Sequence, residues 1–453
     1  MQTLLKRLPK IDKFINHPNF NGLNKKLLTK IAKEQIEQLR ADILAGEIDN
    51  FNQDKLIKAV KVKYKELLKP SLKPLINATG VILHTNMGRS LISKEVLDRA
   101  SKVICSYSNL EYNQQQGRRG ERYEHVSKHL KTLLGVEDVL VVNNNASAVF
   151  LVLNTFAKER EVIVSRGELV EIGGSFRIPE VMANSGAILR EVGATNKTKL
   201  SDYECNINEN SAMLMKVHKS NFSIEGFSSE VDFKDIKKLA NEYNLLDYYD
   251  LGSGYIPTLP FNLSNQEEPI GKILQSNPSL ISFSGDKLFG SVQAGIIAGK
   301  KELIEKLKKN QLLRMLRVDK ITLSILEETI KAYLEENFKL IPTLNMLFTP
   351  LEELEDRANN LVKQIEGCEV VQTTTFMGGG TLPNRSFPSI ALHIKGKATM
   401  LERAFREKDI IGRIEDNKFL LDVRTILPEQ EEYIVEVAKE VLSKKGLLND
   451  MGK

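Results

Sequence analysis

From Ile76 onward the chain alternates short β-rich runs with helix-length windows, and this alternation limits the fold more than any other feature. The runs are 139–142, 161–164, 187–191, 212–217, 246–250, 280–283 and 294–298. Most are separated by enough residues for a crossover helix, which parallel strands require and hairpins do not. The expected architecture is therefore α/β, a mostly parallel sheet with helices on both faces.

The flanks read differently. Over 23–45, Leu27, Leu28, Ile31, Ile36, Leu39, Ile43 and Leu44 recur near helical spacing, and Gly46 is placed to end the helix. A second basic helical stretch covers 53–69, and Pro70 and Pro74 mark a boundary after it. Residues 301–345 look mainly helical, and the remainder mixes helices with strands such as the one around Phe419–Arg424. The expected division is a small helical domain over 1–70, a large catalytic domain over 71–345 and a smaller α+β domain over 346–453.

Charge separates the same regions. The whole chain carries +5. Its first 75 residues hold 16 Lys and Arg against 8 Asp and Glu, so the rest of the chain is slightly acidic. A basic helical module on a near-neutral body suits a polyanionic partner; the alternative is a solvated lysine-rich face. Three widely spaced cysteines, Cys105, Cys205 and Cys368, form neither a disulfide framework nor a zinc pattern and fit a reducing cytoplasm. The start of the chain has no signal-peptide apolar region, and the run 148–156 is too short to span a bilayer, so no membrane partner is expected.

The chemistry concentrates in Ser284-Gly285-Asp286-Lys287-Leu288-Phe289-Gly290, directly after one β-rich run. A lysine at a buried strand end, ringed by small residues, suits a Schiff base with pyridoxal phosphate: burial depresses the amine pKa and the small neighbours admit a flat ring. Upstream, Asp250 closes another run, where a carboxylate can hold the pyridine nitrogen protonated. Asn145, Ala146 and Ser147 open a helical window after 139–142, and small polar residues there either cradle the cofactor phosphate or cap the helix. His218 ends a strand and either contacts the ring or is a plain strand-end histidine. Arginines recur beside turns, at Arg89, at Arg118, Arg119 and Arg122, and at Arg314 and Arg317. The last two are three apart and expected on one helix face. Guanidinium forks suit phosphates, although surface pairing is the commoner use. His125 and His129 have the spacing of a metal pair but no third ligand, so no metal is expected.

Longer strings go further. Ile76-Asn77-Ala78-Thr79-Gly80-Val81, Tyr107-Ser108-Asn109-Leu110-Glu111-Tyr112, Glu171–Pro179, Val217–Asn221, Asp250–Gly254, Ser284–Leu288, Leu316–Lys320 and Gly412–Asp416 together resemble the bacterial selenocysteine synthase family, the L-seryl-tRNA(Sec) selenium transferases. The resemblance implies a fold type I pyridoxal phosphate transferase and an N-terminal domain for tRNA(Sec) charged with serine. It also implies a homo-decamer built from dimers. The implied reaction makes selenocysteinyl-tRNA from seryl-tRNA and selenophosphate through a dehydroalanyl-tRNA intermediate. By matching position, Lys287 is the Schiff-base lysine, Asp286 a proton donor, and Arg89, Arg314 and Arg317 the selenophosphate arginines. The chain departs from the family pattern at Ala194, where Thr is expected, and at Ser291-Val292, where Gly-Pro is expected. A lyase of a small free amino acid or amino sugar acid is the alternative.

Overall fold

Seven strands form the central sheet of the computed structural model, which describes residues 2–443 apart from 173–175, 220–221, 225 and 266–267. They are β1 (Asp138–Val142), β2 (Glu161–Ser165), β3 (Ile188–Val192), β4 (Ser211–Val217), β5 (Leu246–Gly252), β6 (Leu280–Ser284) and β7 (Gly295–Gly299). Their order across the sheet is β1-β7-β6-β5-β4-β2-β3. Every pairing among β2 to β6 is parallel, and β7 runs antiparallel to both β6 and β1. Each β-rich run of the sequence falls in one of these strands, and the expected class is the one observed.

Apart from its largely exposed edge strand β3, the sheet is buried on both faces, which is why its strands read as apolar runs rather than as an alternating pattern. Successive side chains nevertheless go to opposite sides. Leu140, Val142, Tyr248, Leu280 and Ile297 join one core with Leu151 and Val152 of α4 (Asn145–Phe156) and Ile304 and Leu307 of α5 (Lys301–Lys309). Val139, Val141, Tyr249, Ile281, Phe283 and Ile296 join the other with Val126 and Leu130 of α3 (Glu124–Leu134) and Leu326 and Ile330 of α6 (Lys320–Leu334).

Residues Met1–Pro74 and Leu75–Lys453 are two separate compact units. In the first, α1 (Lys25–Ala45) is capped at its start by Asn24, which accepts from Leu27 N–H, and ends on Gly46 in the left-handed conformation at φ 78°. It packs with α2 (Gln53–Leu68) around Phe14, Phe20, Leu28, Ile31, Ile57 and Val60. Burying each of the aliphatic ones contributes about 2 kcal/mol, so this unit has a core of its own.

The second unit also contains a four-stranded antiparallel sheet of β8 (Cys368–Gly378), β9 (Thr381–Ile394), β10 (Arg413–Glu415) and β11 (Lys418–Asp422), in the order β8-β9-β11-β10. Helices Leu351–Val362, Ala398–Arg406 and Glu431–Leu442 bury their apolar faces against it. The Ile76–Asn77 strand pairs in parallel with Ile410–Ile411. Arg413 donates to the Thr79 carbonyl, across 334 residues of sequence, and to the fully buried Asp422 at 2.8 Å.

Gly295 of β7 shows how tightly the sheet supports the turn after β1. A Cβ there would run into the backbone carbonyl of Asn144, which cannot swing aside as a side chain does. Gly295→Ala is expected to destabilise the fold by about 1–3 kcal/mol, measured by chemical denaturation, and to weaken cofactor retention because the displaced turn opens α4.

Candidate active site

The topology brings four strand ends to one edge. β4, β5 and β6 are parallel, and β1 shares their direction through two antiparallel steps across β7. In open α/β sheets the crevice outside the carboxyl ends of the strands is where ligands bind. Asp250 lies near the end of β5, His218 follows β4, Lys287 follows β6 and the Asn143–Ser147 segment follows β1.

Asp250 is the central group. Its carboxylate accepts from Asn145 Nδ2 at 2.7 Å and from Gly252 N–H at 3.0 Å, and its carbonyl accepts from His218 N–H at 2.8 Å. Only 5% of the residue is exposed. Burial pushes its carboxyl above the usual range, and the two hydrogen bonds and the charges of Lys287 and His218 offset this only in part. Lys287 is equally buried. Its loop closes on itself: Gly290 N–H donates to the Lys287 carbonyl at 2.8 Å, Ser291 N–H to Gly285 at 2.8 Å, and Gly285 N–H to Ala294 at 2.8 Å. The Ser291 hydroxyl also reaches Thr329 Oγ1 at 2.9 Å. Ser291, in the sequence only a departure from the family pattern, thus closes the lysine loop.

After β1, Asn144 caps α4 by accepting from Ser147 N–H at 2.8 Å. The cap thus comes from Asn144, while Asn145 turns its amide to Asp250 and Ala146 and Ser147 occupy the first turn of the helix. Asn145 Oδ1 and His218 Nδ1 are buried with no hydrogen-bond partner among the described residues. Two such atoms beside a buried carboxylate and a buried lysine fit a polar, flat ligand, and pyridoxal phosphate has that shape and charge. Lys287, Asp250, Asn145 and His218 are the residues that would hold it. Gly173, Gly174, Ser175, Ser220 and Asn221, from two of the family-like strings, lie outside the described residues.

The arginines fall in two places. Arg89, at φ 60°, donates Nη1 to Asp286 Oδ2 at 2.8 Å, and Ser284 Oγ donates to Asp286 Oδ1 at 3.0 Å. Arg314 and Arg317 instead line a cavity of 380 Å³ with Arg119, Arg122, Lys308 and Lys309, and neither Arg89 nor Lys287 is in its wall. The expected shared helix face for Arg314 and Arg317 does not form. The short helix Leu313–Leu316 stops one residue earlier, and Arg317 is extended, bridged to Val142. Beside that bridge, Asn143 N–H donates to the Leu316 carbonyl at 2.9 Å, tying this segment to the end of β1. His125 Nε2 lies 3.2 and 3.3 Å from the carbonyls of Asn109 and Leu110, and His129 Nδ1 lies 2.9 Å from that of His125.

Sequence reasoning passed over two groups. Glu168, after β2, accepts from the buried Lys216 at 3.1 Å and from Val217 N–H at 2.9 Å, fixing the end of β4 just before His218. Glu111 belongs to the Tyr107–Tyr112 string, where it had no role, and sits among the cavity arginines. Its nearness in sequence to Arg118, Arg119 and Arg122 was the available signal, and Glu121 and Glu124 share it.

Comparison with known proteins gives one answer. The family described as SelA, L-seryl-tRNA selenium transferase, matches residues 75–427. The L-seryl-tRNA(Sec) selenium transferase of Aliarcobacter butzleri is 59% identical over 445 residues, 97% of this chain and 99% of that protein. That of Sulfurimonas denitrificans is 58% identical over 444 residues, again 97% and 99%. Among solved structures, a D-glucosaminate-6-phosphate ammonia-lyase superposes with a TM-score of 0.61 at 19% identity, covering 84% of this chain and 98% of its own. At that identity the likeness extends to the fold and not to the reaction.

A raised carboxyl pKa makes ionised Asp250 a cost to the cofactor-free fold. The folded form holds its proton to higher pH than the unfolded chain does, so stability falls as pH rises through this range. Asp250→Asn removes the charge and keeps an acceptor for Asn145. The cofactor-free variant should melt higher than the cofactor-free parent, with a gap that widens from acid to neutral pH in thermal scans. A gap independent of pH would show that ionisation is not its source.

Proposed function

The chain belongs to the L-seryl-tRNA selenium transferase family, and we infer from this premise that it converts L-seryl-tRNA(Sec) to L-selenocysteinyl-tRNA(Sec), with selenophosphate as selenium donor and pyridoxal phosphate as cofactor. The observation that carries the reading is 59% identity to a transferase of this name along almost the whole of both chains. The lyase alternative has only a fold in its favour.

Pyridoxal phosphate, when bound, supplies an electron sink for negative charge developing at the seryl Cα. The chain's own residues supply the rest. Lys287 holds the cofactor, and its amine takes the proton from Cα when released. Asp250 keeps a proton on the ring nitrogen, where its own burial cost is repaid by a cationic neighbour. The Cβ hydroxyl departs as water, selenium bonds to the same carbon while Lys287 returns the proton to Cα, and water cleaves the Se–P bond to release phosphate. Arg314 and Arg317 bind the anion as charged forks. Arg89 joins them, and its hydrogen bond to Asp286 gives that residue a second state. An Arg89 turned to selenophosphate would leave Asp286, still held by Ser284, facing the leaving hydroxyl as its candidate acid.

Within one chain Arg89 and the Arg314–Arg317 cavity are separate, which supports a homo-oligomer in which a second copy completes the site, with the decamer of the family as its form. The basic first unit, with its own core, is the element that grips tRNA through shape and backbone charge. No helix among the described residues is long and apolar enough to cross a membrane. A charged-tRNA substrate places the enzyme in the cytoplasm.

Titrating the purified holoenzyme with seryl-tRNA(Sec), and separately with free serine, tests the function through the cofactor's visible spectrum. The charged tRNA alone should change it, and selenophosphate should then yield selenocysteinyl-tRNA. Lys287→Ala should show neither response. A response to free serine and none to the tRNA would establish a small-molecule lyase instead. Removing residues 1–74 should weaken tRNA(Sec) binding at least about ten-fold while leaving cofactor content unchanged. Undiminished RNA affinity would remove the first unit from recognition.

A further inference from the structure

Two carboxylates line the arginine cavity, Glu111 and Glu121, and Glu111 is the one held by its arginines. Glu111 Oε1 accepts from Nε and Nη2 of Arg122 at 3.0 and 2.8 Å, and its Oε2 accepts from Arg119 Nη2 at 3.2 Å. Arg317 Nη1 lies 3.7 Å from the same Oε1. One acidic side chain thus serves three guanidinium groups, on unequal terms. Arg122 is anchored twice, since its Nη1 also donates to the Val318 carbonyl at 2.6 Å. Arg317 is held by charge beyond hydrogen-bond distance, so it is the one released at least cost.

Glu111 is also well fixed. Its carbonyl accepts from Gly120 N–H at 3.0 Å, and His125 Nε2 lies 3.2 and 3.3 Å from the carbonyls of the two residues before it. The hydrogen bond and charge of Arg122, with Arg119 and Arg317, hold its carboxyl below the usual range, so it is ionised wherever the enzyme works.

We propose that Glu111 is a built-in counter-ion that competes with the incoming anion for Arg317 and thereby sets the charge an anion needs to occupy the cavity. The inference rests on the reading of Arg314 and Arg317 as the selenophosphate site. A singly charged anion offers Arg317 nothing that Glu111 does not already supply. An anion of the phosphate class carries about 1.5 to two charges at neutral pH and displaces the carboxylate at a net gain. The same competition loosens the inorganic phosphate left after transfer. Glu111 acts through the arginines and is a specificity residue, not a catalytic one.

Glu111→Gln in the full-length holoenzyme tests this, because glutamine still accepts from Arg122 but carries no charge. The KM for selenophosphate and the Ki of inorganic phosphate should both fall, by about two- to five-fold for a partly exposed charge pair. Inhibition by chloride should strengthen, kcat should not rise, and Glu111→Asp should stay near the parent in chloride sensitivity. If Glu111→Gln leaves KM and Ki unchanged or raises them while Arg317→Ala raises both, Glu111 only braces Arg122 and the counter-ion proposal fails alone. If Arg317→Ala changes neither constant, the reading of the cavity as the anion site fails, and the proposal with it.

Discussion

A carboxylate removed from water at the end of β5 is the constraint around which the rest is arranged. Asp250 lies between β4 and β6, flanked in register by Val217 and Ser282, and the sheet order keeps solvent from both sides. Its donors are two neutral N–H groups, less than an ionised carboxylate gives up in leaving water. That deficit is a stored affinity for a cation. A protonated ring nitrogen placed against it would offset the burial cost that Asn145, Gly252, Lys287 and His218 meet only in part. The closed loop around Lys287 and the Asn144 cap on α4 hold the neighbouring groups in place around that one charge.

The anionic end of the site obeys the opposite logic. Its cations are abundant and partly exposed, so the difficulty is selectivity rather than desolvation. The two regions are joined through backbone: the Val142–Arg317 bridge and the Asn143 hydrogen bond to Leu316 connect the arginine cavity with the turn that starts α4. Arg317 is thereby tied through backbone to the segment that flanks Asp250.

Local pattern carried the sheet into view because buried parallel strands are continuous apolar runs, and Gly46 marked the end of α1 because a left-handed terminus favours glycine. The lysine and the aspartate were legible for a related reason: each is a charged residue at the end of an apolar run, an arrangement that burial alone makes costly. Side-chain direction was not legible. Asn145 points at a residue 105 positions away and Arg89 at one 197 away, and neither distance leaves a trace in local composition. The helix expected to align Arg314 with Arg317 fails because an extended bridge to β1 outweighs one more helical turn. Glu111 acquired meaning only when the fold gathered Arg119, Arg122 and Arg317 around it.

The pairing of Ile76–Asn77 with Ile410–Ile411, secured by Arg413 on Thr79, bears on how the protein is made. The chain emerges from the ribosome in order, so the segment at 76–79 must wait for more than three hundred further residues before its partners exist. The seven-stranded sheet can form meanwhile, but the α+β layer can close only near the end of translation, and its closing contact is among the least local in the molecule. A nascent chain stalled or truncated before 410 would carry Ile76 and Ala78 exposed beside a finished cofactor site. Closure of this layer thus depends on residues beyond 410 having been synthesised.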